Sequence, residues 1–93
     1  MTIEAKLFAT LKLKLGVARV LIDTDQPITV RELLRRIGEE VDHDVFAELI
    51  DTEDKIRPGT MLLVGGKNIH HLDGLDTLVE DEDVAVFPPS GGG

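Results

Sequence analysis

Apolar and polar positions alternate at the start of the chain. Ile3, Ala5 and Leu7 interleave with Glu4 and Lys6, the period-2 pattern of a strand with one buried face. Phe8 then falls on the face of Glu4 and Lys6, out of phase with the apolar set. Thr10 to Gly16 is a Lys-Leu repeat ending in glycine, which reads as a turn region joining two strands. Val17 to Asp23 predicts the second strand, stopped by Asp25-Gln26-Pro27. From Thr29 the period changes. Val30, Leu33, Leu34, Ile37 and Val41 follow helical spacing and form one apolar stripe that needs a sheet to cover. Thr29-Val30-Arg31-Glu32 opens this helix as a capping box, the Thr29 hydroxyl accepting from the Glu32 N–H and the Glu32 side chain reaching back. Gly38 weakens the helix towards Val41. Asp44 to Leu49 predicts a second, short helix.

The remaining signals are short. Pro58-Gly59 marks a turn, Met61 to Val64 a strand, Gly65-Gly66 a hairpin turn and Asn68-Ile69 a brief return strand. His70 to Leu78 reads as loop, Asp81-Glu82-Asp83 as an acidic turn and Val84 to Phe87 as the last strand. Strand-rich ends around one amphipathic helix imply an α+β domain with the helix on one sheet face. Residues 1–87 make that domain, and 88–93 form an extended, flexible tail, Pro88-Pro89-Ser90-Gly91-Gly92-Gly93. The prolines fix φ and keep the first part of the tail extended. The glycines carry no Cβ, so the walls of a narrow cleft can close on them to backbone distance. A tail of this length reaches about 20 Å. The plainer alternative is a disordered terminus or a linker.

Composition narrows the function. A chain of 93 residues, 42% of them hydrophobic, makes one small domain with no room for a large internal catalytic cavity. Any chemistry is expected to be shared with a larger partner, and the chain is not itself read as an enzyme. With 18 acidic against 10 basic residues, a formal charge of -8, nucleic-acid phosphates would be repelled. Arg31, Arg35 and Arg36 share their segment with Glu32, Glu39 and Glu40, so they read as a solvated mixed-charge face. Cysteine is absent, which leaves no disulfide, thiolate ligand or cysteine nucleophile. The first residues lack the apolar run of a signal peptide, and no stretch has the length of a membrane span; the expected location is cytoplasmic. No metal site is expected. His43, His70 and His71 have no ordered ligand spacing, and Asp51, Glu53 and Asp54 lack the glycine and final glutamate of a calcium loop. Gly65-Gly66-Lys67 reads as a hairpin turn rather than a phosphate loop.

The second half, Leu62 to Ile69, then Leu75-Asp76-Thr77 and Asp81 to Pro89, closing on Gly92-Gly93, resembles the MoaD/ThiS family of ubiquitin-like sulfur carriers. Lys6-Leu7-Phe8-Ala9 and the helix after a Thr-Val pair extend the likeness over nearly the whole chain. Its most specific part, Phe-Pro-Pro-x-x-Gly-Gly, looks more like the MoaD branch. Two features depart from the pattern: Ser90-Gly91, which gives three glycines instead of two, and a longer His70 to Gly74 loop.

The resemblance implies a β-grasp fold, a mixed sheet wrapped on one main helix with the terminal strands parallel neighbours. It implies that Gly93, with Gly92 beside it, is adenylated by a ubiquitin-activating-type enzyme that supplies the ATP and Mg²⁺ sites; no cofactor is expected on this chain. The resulting thiocarboxylate would donate sulfur to molybdopterin beside a synthase large subunit, in the synthesis of molybdenum or tungsten cofactors. It also implies an apolar docking patch at Phe8 and Phe87, with Val64 and Ile69 as neighbours and Pro88, Pro89 and Gly91 leading into the partner. Both rings could instead be core. Two alternative functions stand beside sulfur carriage: a small protein modifier joined through Gly93 to target lysines, and a β-grasp binding module whose tail is incidental.

Overall fold

A computed structural model describes residues 1–89, and Ser90 to Gly93 lie outside the described residues. Five strands form the main sheet: β1 (Thr2–Leu7), β2 (Arg19–Asp23), β4 (Met61–Val64), β5 (Lys67–Asn68) and β7 (Asp83–Phe87). Their order is β2-β1-β7-β4-β5. The first and last strands are parallel neighbours, Leu7 opposite Val86, while β2 and β4 flank them antiparallel. A second, two-stranded sheet pairs β3 (Ile28–Thr29) with β6 (Leu78–Val79).

The predicted apolar stripe forms helix α2 (Val30–Val41), which buries Val30, Leu33, Leu34 and Ile37 completely. These join Ile3, Ala5, Leu7, Val20, Ile22, Leu62, Val64, Val84 and Val86 in one core cluster on the inner sheet face. Each fully buried aliphatic side chain contributes about 1.5–3 kcal/mol, so this cluster sets the fold. Half of the capping box is present. Thr29 Oγ1 accepts from the Glu32 N–H at 3.1 Å, but the Glu32 carboxylate turns outward to accept from Arg36 Nε at 3.2 Å. Helix α3 (Val45–Leu49) follows, its N-terminus capped by Asp44.

Three expectations are corrected. The Lys-Leu repeat is not a turn but helix α1 (Ala9–Leu15), anchored by Leu11 at i and partly by Leu15 at i+4. The return strand is Lys67–Asn68, because Gly65 and Gly66, at φ 56° and 84°, make a two-residue hairpin that starts pairing immediately. Ile69 instead opens a 3₁₀ turn, Ile69–His71. The segment read as loop also contains a second 3₁₀ turn, Gly74–Asp76, and leads into β6.

Helix α1 is tied to α3 by one carboxylate. Glu48 Oε1 accepts from Lys14 Nζ at 2.8 Å and lies 2.9 Å from His43 Nε2. Burial pushes the Glu48 carboxyl up, but the hydrogen bonds from Lys14 and His43 outweigh it and hold it below its ordinary value. A carboxyl depressed in the folded state stabilises the fold above its unfolded pKa, and that contribution is lost as pH falls through the folded value. Glu48→Gln is therefore expected to cost up to about 1 kcal/mol near neutral pH, with the wild-type advantage fading below about pH 4. Denaturant melts across pH check this; a cost independent of pH would contradict it.

Gly38 is required for close approach. A Cβ there would sit 2.7 Å from the His43 carbonyl oxygen. That oxygen accepts from the Val45 N–H at 2.8 Å, and the His43 N–H donates to the Gly38 carbonyl at 3.0 Å, so the loop is held against the helix. Helix propensity alone would favour alanine by about 1 kcal/mol. Gly38→Ala is nonetheless expected to destabilise by about 1–3 kcal/mol. A melting temperature at or above wild type would show that the loop yields freely.

Candidate functional site

The outer sheet face carries an apolar corner where β7 ends. Alternation sends Val84 and Val86 into the core and Ala85 and Phe87 outward. The register then fixes their neighbours. Ala85 lies between Lys6 and Leu63, and Phe87 lies opposite Met61. One step beyond the Leu7–Val86 pair, Phe8 meets Phe87. Their rings stack at 4.3 Å between centroids, with 7° between planes. Each is half-buried, with one ring covering the other, and such a pair contributes about 0.5–1.5 kcal/mol beyond its buried area. Met61 is 37% exposed, and Leu63 and Ala85 are half-buried. At the far end the same face is charged, with ion pairs Lys6–Asp83 at 3.3 Å and Arg19–Glu4 at 3.1 Å.

The aromatic pair is set by backbone geometry. The Phe8 N–H donates to the Val86 carbonyl at 3.1 Å, continuing the parallel ladder. The next rung would need an N–H from residue 88. Pro88 has none, so the ladder stops. The Phe8 carbonyl accepts from the Lys12 N–H at 3.3 Å instead, in the first turn of α1. Ala9 makes the reversal at φ 53°, a left-handed conformation that costs a non-glycine residue about 1–2 kcal/mol.

The expected patch is partly redrawn. Phe8 and Phe87 come together on the outer face, but Val64 and Ile69 do not join them: Val64 is 4% and Ile69 0% exposed. Val64 shares the inward phase of Leu62, and Ile69 turns into the core at its 3₁₀ turn. Met61, Leu63 and Ala85 take their place. Their phase was hidden because Met61 to Val64 is apolar throughout. Pro88 is buried and Pro89 half-buried, at the end of the central strand β7 rather than on an open face. Gly91, Gly92 and Gly93 lie outside the described residues. Among the described residues no three His, Cys, Asp or Glu converge as a metal site, and no helix is long and apolar enough to cross a membrane.

The ThiS family model matches residues 5–93. The small archaeal modifier protein 3 of Haloferax volcanii is 33% identical over the full length of both chains. The solution structure of the Haloferax volcanii HVO 2177 protein superposes with TM-score 0.79 at 33% identity, covering 100% of this chain and 87% of that one. A putative molybdopterin converting factor, subunit 1, from Pyrococcus furiosus gives TM-score 0.69 at 25% identity, covering 97% and 99%. The fold is thus the ubiquitin-like β-grasp, with the mixed sheet and parallel terminal strands expected of it.

Phe8→Ala is expected to lower stability by about 1–2 kcal/mol, the loss of the stack and of half a ring's burial, with a cooperative melt retained. A fully packed core ring would cost about 3–5 kcal/mol. Calorimetry separates the two, and a loss in the higher range would place Phe8 in the core.

Proposed function

This chain belongs to the ThiS family, and from that membership we propose that it is a ubiquitin-like carrier activated at the Gly93 carboxylate. A carboxylate is a poor acyl donor because oxide is a poor leaving group. In the proposed step a Gly93 oxygen attacks the α-phosphorus of ATP, and pyrophosphate departs to leave an acyl-adenylate. The ATP and Mg²⁺ sites belong to a ubiquitin-activating-type partner. A glycine-ended tail suits this, since a narrow cleft can close around atoms that carry no side chain. The supporting observation is the Gly92-Gly93 end on a Pro-Pro root, in a chain whose 33% identical relative matches it end to end.

Two fates of the acyl group follow. That relative is a small archaeal modifier protein, which favours attack by a target lysine amine, loss of AMP and an isopeptide bond. The likeness to a putative molybdopterin converting factor subunit favours the second. There hydrosulfide, supplied by a sulfur donor, attacks the acyl carbon, AMP departs and a thiocarboxylate is left at Gly93, which donates sulfur beside a synthase large subunit. Such a carrier needs no cysteine, and this chain has none. In both fates the Phe8–Phe87 corner is the proposed docking face, because an aromatic centre in a polar rim is how partner surfaces are commonly built.

Incubation with ATP, Mg²⁺, a cognate activating enzyme and a sulfur donor, followed by intact mass, tests the activation. Oxygen-to-sulfur exchange at Gly93 supports sulfur carriage; Gly93 joined to a lysine in cell extract supports modification. Both should vanish on deletion of Gly93. Gly92→Val should block both by at least tenfold while leaving the melting temperature unchanged. No adduct with any cognate activating enzyme would overturn the proposal.

A further inference from the structure

Thr60 carries the one buried side-chain oxygen among the described residues without a hydrogen-bond partner. The residue is 8% exposed. Its backbone N–H donates to the Arg57 carbonyl at 3.0 Å, while its side-chain hydroxyl has no partner. Burying an unpaired hydroxyl is unfavourable, and a valine of the same shape would avoid the penalty. Such a group calls for a physical explanation.

Its position supplies one. Strands β4 and β7 run antiparallel with Met61 opposite Phe87, so the next step outward sets Thr60 opposite Pro88. The Gly65 N–H donates to the Asp83 carbonyl at 2.9 Å. Counting back from that bonded pair by alternation, Thr60–Pro88 is a non-bonded pair, the kind in which side chains lie closest. Both residues are on the inward phase and both are buried. The unpaired hydroxyl therefore stands beside the root of the tail. Successive carbonyls of an extended chain point to opposite sides. By the register of β4 and β7, Phe87 directs its carbonyl towards β4 and Pro88 away from it, which leaves the Pro89 carbonyl as the next acceptor that a straightened root can bring towards β4. Neither proline offers an N–H, so an acceptor is what the root can present to Thr60.

We propose that Thr60 is a positioning residue for the tail, its hydroxyl donating to the Pro89 carbonyl when the tail is drawn straight into an activating enzyme. The bond exists only in the threaded state. It shortens the length of tail left free and fixes the direction in which the glycines leave the sheet. This rests on the activation proposed above.

Thr60→Val tests it, with Thr60→Ser as rescue. Melting temperature is measured for each variant, and kcat and KM are measured by ATP–pyrophosphate exchange with a cognate activating enzyme and intact carrier. Thr60→Val is expected to melt at or above wild type and to raise KM about fivefold, the worth of one hydrogen bond, with Thr60→Ser returning KM towards wild type. Unchanged KM would overturn the assignment, because the hydroxyl would then be idle. A lower melting temperature for Thr60→Val would also overturn it, because the hydroxyl would then be bonded in the free protein. Failure of wild type itself to support exchange would reject the activation reading, and this proposal with it. Exchange by wild type and Thr60→Val alike would reject this proposal alone.

Discussion

The parallel pairing of β1 with β7 is the constraint on which the rest depends. It joins the two ends of the described chain in the centre of the sheet, so every other element is placed around it. β2 and β4 can only add outside, and α2 can only cover the inner face that Ile3, Ala5, Leu7, Val84 and Val86 present. Such a contact closes a loop of nearly the whole sequence, at a high entropic cost. The inner-face cluster offsets that cost. The outer face adds the Phe8–Phe87 stack at the same place, one rung past the last backbone pair.

Pro88 gives this pairing a defined end. Without its N–H the ladder cannot extend to the tail, and the Phe8 carbonyl is left to start α1. A residue with an N–H at this position could add one more rung and draw the first tail residue into the sheet. The parallel ladder is ended at Phe8 by a missing donor rather than by repulsion. The same period-2 geometry separates two adjacent residues: Phe87 faces outward, on the proposed docking corner, while Pro88 faces inward.

Much of this was legible in the sequence where a single period dominates. Alternation placed β1 and exposed Phe8 as out of phase, and the helical stripe with Thr29 placed α2. The failures occur where two periods coincide. In the Lys-Leu repeat, Leu11 and Leu15 satisfy helical spacing while Leu11, Leu13 and Leu15 also alternate; Leu13 is 81% exposed, an apolar residue that carries no packing signal. In Met61 to Val64 every residue is apolar, so no phase can be read, and Val64 was placed on the wrong face. Thr60 gave no signal at all, since its meaning lies in a hydrogen bond that is missing and in a strand register that only the fold provides.

The stack also explains why core and docking surface are a false choice for Phe8 and Phe87. Each ring buries one face against the other and leaves part of itself to solvent, so each contributes to closing the sheet and still has area to lose to a partner. The stack joins residues from the two terminal strands, so binding there would add to the same contact that holds the ends together. A ligand that binds only the folded state stabilises it by mass action. Engagement of this corner is therefore expected to tighten the β1–β7 ladder and, through Pro88, to steady the point from which the tail departs. If the corner is the docking face proposed above, docking and tail presentation would be coupled, because one pair of neighbouring strands supports both.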